Sequence, residues 1–228
     1  MTQNHLFWRR LILLGAPLAL GILDLTHPIY IAQTGVFGGV GPRVDWWITL
    51  HIIQLPLIGL IALAVYLLVA GLPGWVATVS RLALVIFFVP FYSAWDAVAG
   101  VGTGVLIRYA NSLPAVQQAA VEPIIDAYWQ SQIFGNISIF GWLGGSLGWI
   151  VAVLAAAIAL AHAGAPRRPL MLLIPAALLF GLTHVAPFGP LGMLCFFLAA
   201  LDLERRFTGR RSTLTVPDLS TSPPPAFG

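Results

Sequence analysis

WWITLHIIQLPLIGLIALAVYLLVA, residues 46–70, holds no Asp, Glu, Lys or Arg over 25 positions. A helix needs about 20 apolar residues to cross the roughly 30 Å hydrocarbon core of a bilayer, so this stretch reads as a transmembrane helix opened by an interfacial Trp46-Trp47 pair. Composition extends the reading to the whole chain. Of the 228 residues, 59% are hydrophobic and 8% charged, and the mean hydropathy is +0.91. A soluble domain carries about 25% charged residues. The fold class expected is therefore all-α: a polytopic membrane helical bundle with no room for a separate soluble domain.

Working outward, a first span is expected from about Leu11 to Tyr30. Trp8-Arg9-Arg10 precede it, and no convincing signal-peptide cleavage site follows. After Leu72-Pro73-Gly74 a third span runs from about Leu82 to Ile107, with a kink expected at Pro90. Residues 108–134 form the longest polar interruption. Ile124, Ile125, Tyr128 and Trp129 recur there at helical spacing beside Glu122 and Asp126, as in a helix lying in the interface plane. A fourth span is expected from about Ile137 to His162, a fifth from Pro169 to Val185 and a short sixth from Pro190 to Leu203. Residues 1–211 would form one six-helix transmembrane domain, and the Ser-, Thr- and Pro-rich residues 212–228 a disordered tail. The glycine-rich stretch from Gly35 to Pro42 reads as a mobile outer loop.

All eleven basic residues are arginine. Nine of them (Arg9, Arg10, Arg81, Arg167, Arg168, Arg205, Arg206, Arg210 and Arg211) fall on the side of the termini in a six-span threading; only Arg43 and Arg108 lie opposite. By the positive-inside rule both termini are cytoplasmic, in what reads as a bacterial plasma membrane. The net charge of +3 is used up at span ends, so no nucleic-acid partner is expected. Absence of lysine excludes a Schiff base. The lone Cys195, in an apolar run, excludes an intrachain disulfide and argues against a thiolate site.

That threading brings Asp24, His27, His51, Asp96 and His184, from four different segments, towards the outer face. Ionisable groups within a membrane usually pair, line a cavity or do chemistry. Asp24 and His27 are three residues apart and share a helix face, as do His51 and Gln54. Three imidazoles suit a catalytic zinc site, which uses three nitrogen or oxygen ligands and leaves a fourth position for water. His27, His51 and His184 are the candidate ligands. Asp96 and Asp24 are the candidate catalytic carboxylates, one orienting a ligand and the other taking a proton. No HExxH, CxxC or HxH motif supports a local metal site. Three other readings stay open: interhelical hydrogen bonds that hold the bundle together, a haem b or quinone redox site, and solute transport.

The scattered Asp/His pattern resembles that of intramembrane metal hydrolases such as alkaline ceramidases and adiponectin-receptor-like proteins. Those have seven spans and a paired-His arrangement that this chain lacks, so no residue role carries over. The expected activity is a metal-dependent hydrolase or transferase acting on a lipid-like substrate, with the segment 112–132 as a lid and the bilayer as its setting. Gly141, Gly144, Gly145 and Gly148 mark a close helix contact, within the chain or across a homodimer. Trp95 and Trp142 stand apart from the interfacial tryptophans as candidates for lining a cavity.

Overall fold

A computed structural model describes residues 3–28 and 35–212. Among them the chain is entirely helical. Seven helices follow in order: α1 Asn4–Leu25, α2 Gly35–Val69, α3 Trp75–Asn111, α4 Ala115–Trp129, α5 Ile139–His162, α6 Arg167–Leu182 and α7 Phe188–Ser212.

Four of these, α1, α2, α3 and α5, are long and apolar enough to cross a membrane. The expected count of six is not met on those grounds. α6 has 16 residues and opens with Arg167-Arg168, so at 1.5 Å per residue it spans only about 24 Å. α7 places Asp202, Glu204, Arg205 and Arg206 in its second half. The outer faces of the helices expose large apolar side chains such as Ile22, Val85, Phe87, Leu143, Ile158 and Leu194. A soluble monomer rarely shows so much contiguous apolar surface, whereas a lipid-facing bundle does.

Six helices form a closed ring in chain order: α1 packs on α2, α2 on α3, α3 on α5, α5 on α6, α6 on α7 and α7 on α1. Two large ring contacts have clear local causes. The glycine face of α5 lies against α3, where a Cβ on Gly141 would meet Trp95, one on Gly145 Tyr92, and one on Gly148 Phe87 and Phe88. This close approach is intrachain. At one end, Arg9 Nε donates to Glu204 Oε1 at 2.9 Å and Arg9 Nη1 to the Leu67 carbonyl at 3.0 Å, tying α1 to α7 and α2.

α4 stands outside the ring and packs on α3 and the start of α2. The interruption contains one 15-residue helix with Pro123 inside it. Its Asp126 Oδ1 accepts from the backbone N–H groups of Val36 and Phe37, at 2.7 and 3.1 Å. A carboxylate there caps the free donors at the start of α2 and complements its dipole. Gly35, at φ +68°, sits against the same carboxylate, where a Cβ would collide. The stretch read as a mobile loop is thus the first turns of α2, held from across the fold.

α3 runs in wide turns, with π-helical stretches at Ala83–Tyr92 around Pro90 and at Asp96–Gly102. Such turns shift the side-chain phase relative to an α-helix and frequently mark functional sites. The tail, residues 213–228, lies outside the described residues, as do 29–34 at the expected end of the first span.

Candidate metal centre

α1 ends at Leu25. Thr26 Oγ1 donates to the Leu23 carbonyl, and Trp46 Nε1 donates to the Thr26 carbonyl at 2.9 Å. That tie sets the end of α1 beside the start of the apolar run of α2, and His27 comes next. His51 lies one turn after Trp47 on α2. His184 is not in the last turn of α6, as the periodicity suggests; it follows the helix, in the segment leading to α7. All three histidines are buried.

Their nitrogens converge. One ligand atom from each of His27, His51 and His184 lies within 4.8 Å of the other two, and the Nε2 atoms of His27 and His184 are 3.3 Å apart. The ring centroids of His27 lie 5.3 Å from His51 and 4.9 Å from His184, both edge to face. Two nitrogens on one tetrahedral zinc ion, each about 2.0–2.1 Å from it, are separated by about 3.3–3.4 Å. One pair already has that spacing. The other separations, within 4.8 Å, need to close by up to about 1.5 Å around an ion.

Second contacts fix the tautomers. His27 Nδ1 lies 2.9 Å from the Pro28 carbonyl, and His51 Nδ1 lies 2.7 Å from the Trp47 carbonyl. A carbonyl only accepts, so each Nδ1 carries the proton and each Nε2 presents its lone pair. Metal-bound histidines are oriented in this way. His27 and His184 lie beyond the ends of their helices.

The two candidate carboxylates separate. Asp96 is buried beside the histidines, with Oδ1 3.8 Å from His51 Nε2. Neither of its oxygens has a hydrogen-bond partner among the described residues. Asp24 is buried one turn deeper on α1, where its Oδ1 accepts from Gln54 Nε2 at 3.4 Å. It does not line the cavity at the histidines.

That cavity, of about 210 Å³, is bounded by the three histidines, Asp96, Trp47, Trp95 and Trp129 among others. Trp129 belongs to α4 and packs edge-on against Trp47, with centroids 5.8 Å apart. Tyr128 OH donates to the Val98 carbonyl at 3.2 Å, and burial raises the phenol above its usual range. α4 therefore roofs the site. A second cavity of about 250 Å³ adjoins it, and His184, Trp95, Asn136, Thr183 and Val185 line both. Trp142 lines the second.

Some contributors carry no obvious mark in the sequence. Gly100 reads there as a packing glycine, yet a Cβ on it would overlap the His51 ring. Its carbonyl also accepts from Trp47 Nε1 at 2.7 Å. Asn136 reads only as part of a glycosylation sequon, yet it stands between the two cavities.

What the arrangement can do is offer three imidazole nitrogens, a carboxylate with no hydrogen-bond partner among the described residues and an adjoining chamber. Comparison with known proteins found no matching family model, no matching curated protein and no matching solved structure.

Proposed function

We propose that this chain is an integral membrane protein in which His27, His51 and His184 hold a zinc ion, and that it hydrolyses or transfers an acyl group of a lipid-like substrate. The observation that carries the reading is the 3.3 Å approach of two imidazole Nε2 atoms with a third in reach. Backbone carbonyls pin the Nδ1 protons of His27 and His51. Interhelical hydrogen bonding alone would use one donor and one acceptor; it gives no reason for a third imidazole.

A zinc ion held there would supply Lewis-acid chemistry, polarising an acyl carbonyl and making water more acidic. Asp96, beside His51, would take a proton from the attacking water as its oxygen bonds to the acyl carbon, and would return that proton to the leaving group as the bond to it breaks. Asp24 takes no part in this scheme; it braces the deeper turn through Gln54.

In this reading α6 and α7 also cross the bilayer, making six spans with α4 in the outer interface. α6 is short but hairpinned to α7, and thinning of the bilayer or snorkelling of Arg167 and Arg168 accommodates such a mismatch at modest cost. The arginine bias puts both termini inside and the histidines towards the outer face. In a Cys195→Ala background, Ser112→Cys is expected to react with an impermeant maleimide added outside intact cells. Ala163→Cys is expected to react only after permeabilisation. The reverse pattern would invert the topology.

His51→Ala is expected to lose stoichiometric zinc while keeping the melting temperature of the detergent-purified protein within a few degrees. Equal zinc occupancy in variant and wild type would sink the metal reading.

A further inference from the structure

The second cavity adds a route to the site. Its floor is the stacked pair Tyr92 and Phe180, with ring centroids 5.9 Å apart and planes 16° from parallel. Its inner wall is His184 and Trp95, and its outer margin is Ile137, Trp142 and Leu182. All three margin residues are exposed apolar side chains at the ends of α5 and α6 that face each other. With α5 and α6 crossing the bilayer as proposed, that margin faces the surrounding lipid near the outer ends of the two helices. Above the histidines, by contrast, Ile125 and Trp129 of α4 are buried, and Asp126 and Tyr128 fasten that helix to α2 and α3.

The geometry points to a lateral portal: we infer that the acyl chain of the substrate lies between α5 and α6 in this second cavity, entering from the membrane, with its polar end delivered to His184. The inference rests on the proposed function of the histidine site and names its substrate class, an amphiphile with a chain. Together the two cavities fall in the roughly 300–1,000 Å³ range of small-molecule sites. The stacked rings of Tyr92 and Phe180 offer a hydrocarbon chain an apolar floor, beside polar groups from Ser146, Asn136, Thr183 and His184.

The test uses the full chain in phosphatidylcholine vesicles with a diazirine-bearing palmitic acid as probe. After irradiation, mass spectrometry locates the adducts, and elemental analysis is run on the same preparations. The expected result is label on the peptides holding Phe180 and Thr183. Ser146→Phe, which plugs the cavity, should cut that label at least about tenfold, as expected when two or more methylenes are excluded from an apolar chamber. Its metal content should stay that of wild type. Trp142→Ala, which removes a side chain from the margin, should raise the label. Label confined to lipid-facing positions such as Val85 and Ile158, with no response to either variant, overturns the portal even in a protein that holds its metal. Label in the chamber of a protein holding no metal keeps the chamber and overturns the metal centre instead.

Discussion

Gly100→Ala is expected to empty the histidine site although it changes no ligand. α3 passes so close to α2 at this point that the space for a Cβ is filled by the His51 ring. The neighbouring contacts leave that ring little freedom: Trp47 donates to the Gly100 carbonyl, and His51 donates to the Trp47 carbonyl. The added methyl must push α3 away or turn His51 out, and either movement withdraws Nε2 from its two partners. Loss of an orienting contact around a metal typically costs about 10–100-fold in affinity, and overpacking costs about 1–3 kcal/mol of stability. A zinc titration should therefore show affinity lowered at least tenfold, by this scale, with a modest fall in melting temperature. Gly59→Ala is the control: it lies on α2 as well, with nothing within 4 Å of its Cβ position. It should bind zinc as wild type does. Wild-type affinity in Gly100→Ala would contradict the assigned position of His51.

The second large effect belongs to Asp96→Asn. Both Asp96 oxygens are buried without hydrogen-bond partners among the described residues, so the carboxylate contributes little to holding the bundle. Burying such a group unpaired is costly. The isosteric amide removes the basic oxygen and leaves the imidazoles in place. Zinc content and melting temperature should match or exceed those of wild type, while hydrolysis of a long-chain acyl ester in mixed micelles falls about 10²–10⁴-fold, the usual contribution of a general base. An unchanged rate would remove Asp96 from the chemistry. A large loss of stability at unchanged specific activity would make it a structural residue.

Much of this arrangement is legible in the chain because a bilayer constrains it so strongly. Residues 46–69 belong to a helix long and apolar enough to cross a membrane. The polar residues on different apolar segments can meet only if the helices pack in a bundle, and the chain-order ring brings His27, His51 and His184 together. The three-residue spacing of His51 with Gln54 puts that pair on one face of α2, whereas His27 lies past the end of α1 and shares no helix face with Asp24; the Asp24–Gln54 bond joins α1 to α2.

Other features depend on contacts remote in sequence. Asp24 and Asp96 look equivalent as letters, and only the depth of each along its helix separates the paired residue from the one beside the histidines. Gly35–Val40 has a loop's composition; it is helical because Asp126, about ninety residues later, caps it. Apolar runs alone suggest six spans, but α6 has a short reach and α7 carries charges in its second half. The apolar run continues to Val185, whereas α6 stops at Leu182 and leaves His184 beyond it. The second cavity has no local signature, since residues of α3, α5 and α6 line it together.

If three histidines from α2 and the segments after α1 and α6 form one metal site, elemental analysis with an absorption spectrum shows it in detergent-purified wild type beside the His27/His51/His184 triple-alanine variant. About one zinc ion per chain is expected in the wild type, none in the variant, and no Soret band in either. A wild-type protein that stays empty after reconstitution with zinc, or a variant that retains as much metal as wild type, would contradict it.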